Sequence, residues 1–333
     1  MATHVYALSE QEAEHVAELV AELDTTDTAN PEFFVRLNVL AHRLPHRLRE
    51  TLAQFRLGDT GWAALVLSNL PIGAPDLPPT PPHWREAPSG DHTDALLLLL
   101  SALVGDAFGW TTQQDGRLVH NVLPIRENEE VQVGSSSKVR LTLHTEDAFH
   151  PLRPDFVALL SLRNPDDVPT EIATLTDGDL DADDLAALFE DAYYIAPDLS
   201  HTPEQNSADA VGRADFARLT HPEQPAFHSI LYGDPATPFI RFDRYYTQQA
   251  SSDRHWRALE NLERVLEKNV EEVVLRPGDL CLIDNARAVH GRSPFRARYD
   301  GTDRWLKRLC LTLDLRKSRG GRAGGGRLIG AAR

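Results

Sequence analysis

The sequence predicts a β-sandwich or jelly roll covered by a few helices, a mainly β fold, and three observations carry that reading. Short apolar segments bounded by Gly, Pro, Asn and Asp recur along the chain, from Trp62 to Leu70 through to Trp305 to Leu315. Helical periodicity is confined to a handful of stretches, too few to alternate with the strands but enough to wrap them. The 333 residues can form one large domain, and β barrels of that size often stay undivided.

Taken in order, Ser9-Glu-Gln-Glu12 has the form of a capping box. It opens a helix with Ala13, Val16, Leu19, Val20 and Leu23 at helical spacing. Pro31 suits a first helical turn, and Phe34, Leu37, Leu40 and Ala41 follow until Pro45 breaks the pattern. Trp62 to Leu70 reads as the first buried strand, and the proline-rich stretch from Asn69 to Pro82 as a surface loop. Asp91 to Phe108 is apolar through its middle and predicts a buried helix. Strands are expected at Leu118 to Ile125 and, apolar on both faces and hence central, at Phe156 to Leu162. Asp181 to Asp191 has the acidic first turn that suits a helix dipole. Residues 198–223 are polar and aperiodic, a lid-like insertion. Further strands are predicted at Phe227 to Leu231, Phe239 to Phe242, Val273 to Leu275 and Leu280 to Asp284, with an amphipathic helix from Arg254 to Lys268. Residues 1–315 thus make a single domain, followed by a basic, glycine-rich tail, 316–333, expected to be disordered.

Thirty-four basic against 50 acidic residues give a net charge of −16, which argues against nucleic acid as a partner. Cys281 and Cys310 both sit in apolar runs, so neither a disulfide framework nor a thiolate metal site is indicated, and a reducing cytoplasm is the expected setting. The first 15 residues are polar and acidic, unlike a secretory signal. The longest apolar run, Ala95 to Val104, is far short of a membrane span. Oligomeric state is left open.

Chemistry concentrates at His144-Thr-Glu146. On a strand, residues i and i+2 share a face, so an imidazole and a carboxylate would stand side by side. His290 is the candidate third ligand, and two histidines with one carboxylate form the open-faced set of non-heme Fe(II) oxygenases. The same spacing occurs at His92-Thr-Asp94, in a helical start, and at His221-Pro-Glu223, in a loop broken by proline. Only His144 follows alternating apolar residues, Val139, Leu141 and Leu143, after a turn at Gly134-Ser-Ser-Ser137. Fourteen residues beyond His290, strand alternation places Arg304, Leu306, Arg308 and Cys310 on one face. Inward guanidinium groups need anions. A small dicarboxylate held by the metal at one end and by arginine at the other meets that need, as 2-oxoglutarate would. The competing reading pairs these arginines with Asp284, Asp300 or Asp303.

Several segments together resemble the clavaminate synthase-like group of Fe(II)/2-oxoglutarate-dependent oxygenases. They are Phe108 to Arg117, Ser135-Ser-Ser137, His144 to Phe149, Leu159 to Asp166, Ile283 to Arg292 and Arg298 to Arg308. Within the group the chain is most similar to the free amino-acid 3-hydroxylases, which include arginine 3-hydroxylases of viomycin biosynthesis and asparagine oxygenases. The resemblance implies a double-stranded β-helix, cupin-like, with Fe(II) held by His144, Glu146 and His290, and with 2-oxoglutarate and O2 as cosubstrates. It implies that Arg304 grips the distal 2-oxoglutarate carboxylate, that Arg308 serves the same region, and that Thr170, or the nearby Thr174, assists. Gln113, Ser136 and Glu146 match positions near the substrate α-amino group, and Glu146, retained where halogenases keep no carboxylate, implies hydroxylation. Arginine hydroxylases clamp the guanidinium with two carboxylates; here Asp243 is retained and Tyr245 or its neighbour replaces the second. The implied reaction is hydroxylation of a free L-amino acid, at C3 of arginine or a related residue. Lysine, citrulline, glutamine, asparagine and a carrier-tethered amino acid are alternatives, and a non-catalytic β-barrel binding module is the reading from a different class.

Overall fold

The computed structural model describes residues 2–23, 28, 30–58, 60–206, 226–322 and 326–330. Strand β1 (Thr3–Ala7), which the sequence reading did not anticipate, runs parallel to β2 (Ala64–Ser68). Between them lie α1 (Glu10–Ala21), α2 (Pro31–Ala41) and α3 (His46–Leu57). The capping box at α1 is present: the Ser9 hydroxyl accepts the Glu12 amide and the Glu12 carboxylate accepts that of Ser9. Pro45 does end α2, but it also starts α3, whose Leu48, Leu52 and Phe55 are buried one turn apart.

Helix α4 (His92–Ser101) is shorter than expected, because Asp106–Trp110 leaves the helix and becomes β3, paired with the later segment Asp106↔Thr312 to Phe108↔Cys310. Tertiary pairing here overrides local helical preference. The chain continues through β4 (His120–Val122), β5 (Leu141–His144), β6 (Phe156–Arg163), β7 (Thr170–Thr174), α5 (Ala182–Leu188) and β8 (Tyr193–Ile195). After the undescribed stretch come β9 (Leu231–Tyr232), β10 (Phe239–Ile240), β11 (Thr247–Ala250), α6 (Asp253–Lys268), β12 (Glu271–Val273), β13 (Leu280–Asp284), β14 (Ala288–Arg292) and β15 (Trp305–Thr312). Of the tail expected to be disordered, 323–325 and 331–333 lie outside the described residues, and the described part has structure: Leu315–Gly321 coils into a 3-10 turn, and β16 (Leu328–Ile329) adds to β3 in parallel. Arg327 secures it, with its guanidinium 2.9 Å from Asp106 and over the Phe34 ring. Most of the expected insertion, 207–223, with His221 and Glu223, lies outside the described residues.

Two sheets carry the architecture. The larger runs β1-β2-β13-β6-β15-β3-β16, with β4 also on β15, and the smaller runs β12-β7-β14-β5. Period-two alternation sorts their side chains. Val66, Val157, Leu159, Cys281, Ile283 and Leu306 of the large sheet meet Ile172 and Ala288 of the small one. The opposite residues, among them Leu65, Leu160, Leu282 and Leu309, pack under α1 to α4. Behind the small sheet, Leu143, Ala173 and Val289 lie against α5 and α6. Two facing sheets with helices outside both are the double-stranded β-helix the sequence implied, left as two sheets among the described residues. Within those residues no helix is long and apolar enough to cross a membrane.

Candidate active site

Strands β5 and β14 bring the two histidines together: His144 and His290 are direct cross-strand partners, with ring centroids 4.5 Å apart. Gly291 permits that approach, since a Cβ there would stand 2.6 Å from the Leu141 carbonyl. Glu146 arrives differently from the expectation of one continuous strand. β5 ends at His144, and Asp147, at φ 50°, turns the chain so that Glu146 faces the histidines. Asn285 holds that turn, its amide oxygen accepting the Glu146 N–H (2.7 Å) and its NH2 donating to the carbonyls of Glu146 (3.1 Å) and Pro154 (2.8 Å).

Ligand atoms of His144, Glu146 and His290 all lie within 4.8 Å of one another, with Nε2 of His290 3.6 Å from Glu146 Oε2. His144 Nδ1 donates to the Thr142 carbonyl at 2.8 Å, which leaves its Nε2 lone pair for a cation. The set therefore fits a divalent metal with open positions, iron or zinc by chemistry alone. Arg308 donates to the other Glu146 oxygen, and its second nitrogen reaches Gln113 Oε1 (3.1 Å) and His120 Nδ1 (2.8 Å). Burial opposes ionisation of Glu146, but the Arg308 charge and the two histidines outweigh it and hold the carboxyl well below its usual range. Burial, reinforced by Arg308, pushes His120 down to about 3, so it accepts from the guanidinium as a neutral ring.

Arg304 has no such partner among the described residues. It is 6% exposed, touches the Thr170 hydroxyl at 3.4 Å, and its Nε is buried without an acceptor. Burial, then the Arg292 charge, pushes it down to about 9. The carboxylates that could have neutralised it are engaged elsewhere: Asp284 with the Ala286 amide, Asp300 with Thr302, and Asp303 with the amides of Arg298 and Tyr299. Arg292, overlooked in the sequence, is also buried. It donates to the Ser136 carbonyl and hydroxyl (2.8 and 2.9 Å), which makes Ser136 its support.

Metal cluster and arginine open on one cleft. Thr170, Arg304, Arg308 and Asp243 line it; Gln113, Ser136, Thr174 and Tyr245 do not. Tyr245 is a correction, being 56% exposed, whereas Tyr246 lines the cleft and donates its hydroxyl to the Gln132 carbonyl. Gln113 is buried behind Arg308. Asp198 and Ser200, read from the sequence only as the start of an insertion, form part of the wall. Asp243, beside His144 in an isolated bridge, is pushed up to about 6 by burial, against the pull of His144.

Residues 89–310 match the profile of the taurine catabolism dioxygenase TauD, TfdA family. An L-ornithine/L-arginine 3-hydroxylase of Catenulispora acidiphila is 42% identical over 332 residues, covering 95% of this chain and 96% of that protein. The solved structure of the non-heme iron oxygenase OrfP in complex with Fe, succinate and (3S)-hydroxy-L-Arg superposes with a TM-score of 0.91 at 44% identity, covering 98% of this chain and 100% of that one. Another OrfP structure, with Fe and alpha-ketoglutaric acid, gives 0.86 at 43% identity, with the same coverage.

Proposed function

The chain belongs to the TauD/TfdA dioxygenase family, and on that premise we propose that His144, Glu146 and His290 hold Fe(II), that Arg304 with Thr170 holds 2-oxoglutarate, and that the opposite wall selects the amino acid. The protein is an Fe(II)- and 2-oxoglutarate-dependent dioxygenase that hydroxylates a free L-amino acid, arginine or ornithine, at C3. Bound iron would supply O2 activation coupled to oxidative decarboxylation of 2-oxoglutarate to succinate and CO2. The chain's own residues supply the rest.

One observation carries the assignment: a buried, uncompensated guanidinium shares a cleft with a two-histidine, one-carboxylate cluster. An unpaired buried cation is costly, so Arg304 is built to receive an anion that arrives with the cosubstrate. Arg308 occupies one Glu146 oxygen and leaves the other facing His290. Val122, Val133, Leu141, Leu159 and Leu306 give the cleft apolar flanks that exclude water around the reacting carbon.

Substrate choice rests on charge. Asp243 and Asp198 both line the cleft, so Asp198, from the 198–201 turn, offers a second carboxylate where the resemblance had Tyr245 or its neighbour replacing one. Two carboxylates favour a guanidinium or ammonium side chain over the neutral amides of citrulline, glutamine and asparagine. The enzyme, reconstituted anaerobically with Fe(II) and then given 2-oxoglutarate, O2 and a panel of free and carrier-tethered amino acids, is expected to release succinate with arginine or ornithine. The product should be heavier by one oxygen. No succinate with any amino acid offered, and no iron retained at His144, Glu146 and His290, would reduce the protein to a binding module and overturn the reading.

A further inference from the structure

Residues 198–206, at the base of the expected lid, are fastened to the frame at several points. Gln113 donates to the Ser200 hydroxyl at 2.6 Å, Asn206 donates to the Thr112 carbonyl at 2.7 Å, and Asn128 and Gln205 exchange amide bonds of 2.8 and 2.9 Å. The tightest fastening is His201, whose side chain is wholly buried. Its Nε2 donates to Asp147 Oδ1 at 3.0 Å and its Nδ1 accepts from the Thr112 hydroxyl at 2.7 Å. The other Asp147 oxygen takes the Trp110 indole N–H at 2.6 Å, and the His201 ring stands edge-on to Trp110 and Phe149.

Asp147 directly follows Glu146 in the chain, and His201 directly follows Ser200. The metal-ligand turn and the substrate wall are therefore joined twice. One path runs from Glu146 through Arg308 and Gln113 to Ser200; the other runs through Asp147 to His201. Asp198 and Ser200 share a single 3-10 turn with His201, stiffened by the bond from the Ser200 amide to the Asp198 carboxylate (2.8 Å). Such a turn cannot shift at His201 without carrying both wall residues with it.

We propose that His201 is a positioning residue that fixes the distance between the metal ligands and the Asp198/Ser200 wall, and so decides which carbon of the amino acid lies nearest the metal. The inference rests on the functional reading above and adds a residue to it. Displacement of a bound substrate by an ångström costs roughly 100-fold in productive alignment. That loss appears in coupling and regiochemistry before it appears in folding.

His201→Phe keeps the ring and removes both hydrogen bonds; Thr112→Val removes only the one to Nδ1. His201→Phe should raise the amino-acid KM by about tenfold or more, release succinate in excess over hydroxylated product, and yield a second positional isomer. Its KM for 2-oxoglutarate and its iron stoichiometry should stay near wild type, whereas its melting temperature falls because the buried Asp147 carboxylate loses its His201 partner. Thr112→Val should show the same split in smaller measure, and it carries the test should His201→Phe fail to fold. His201→Gln, which restores a donor and an acceptor, should recover part of the coupling. Wild-type enzyme inert toward every amino acid would overturn the functional reading. An active wild type with variants unchanged in coupling and regiochemistry, or with 2-oxoglutarate and amino-acid affinities falling together, would overturn the clamp alone.

Discussion

Among the described residues, Arg304 has the Thr170 hydroxyl as its one hydrogen-bonding partner. On the proposed assignment, the unliganded protein carries a buried charge that cosubstrate would neutralise. Arg304→Met should weaken 2-oxoglutarate binding by about 2–5 kcal/mol, at least about 30-fold in KM, and leave the iron stoichiometry intact. The unliganded variant should melt no lower than wild type, because a buried unpaired charge has been replaced by a side chain of similar volume. Titration calorimetry beside a thermal melt checks both halves. Strand alternation assigned His144 and Arg304 their faces, whereas His290 stood out by ligand type and Thr170, with Thr174 competing, only through the family resemblance. The sequence could not tell Tyr245 from Tyr246, adjacent tyrosines whose directions depend on the turn that Asp243 and Tyr246 close. Asn285 and Arg292 also escaped notice: an Asn in a polar turn and an Arg beyond a glycine carry no local sign of what they will touch.

Among the elements, β14 does most to assemble the site and was the least visible. Ala288-Val-His-Gly-Arg292 is short and holds a glycine, which weakens a strand signal. The glycine is there for its neighbour. Gly291→Ala would push its Cβ against the Leu141 carbonyl of β5 and part the strands that carry His144 and His290. It should destabilise the protein by about 1–3 kcal/mol, the usual cost of overpacking, and lower Fe(II) affinity more than it lowers the melting temperature. β3 and the tail strand β16 were missed for a related reason. Their pairing is decided by partners far along the chain, and local composition, helical in one case and glycine-rich in the other, points elsewhere.

At the scale of the whole molecule, the helices outside the large sheet are fixed to the strand that bears both arginines. Lys307 sits between Arg304 and Arg308 in alternation, so it points away from the cleft. Its ammonium is fully buried, 2.8 Å from Asp91 and 2.5 Å from Asp94 at the start of α4. Lys307→Met strands the buried Asp94 carboxylate, while the partly exposed Asp91 keeps its cap bonds, and should cost about 3–5 kcal/mol, seen as a large drop in the denaturation midpoint, whereas the metal ligands are untouched. The same alternation that sends Lys307 to the helices sends Arg304 and Arg308 inward, and this architecture was readable from a five-residue pattern. Loop geometry around residues 198–206 was not, because its order comes from hydrogen bonds to residues 87 to 94 positions away. The central claim is that His144, Glu146 and His290 form one ferrous site. Anaerobic titration with Fe(II) of wild type and of His144→Ala, Glu146→Ala and His290→Ala tests it. One ion per chain in wild type, with tight binding lost in each variant, is the predicted result; any single variant that still binds one equivalent as tightly as wild type would contradict it.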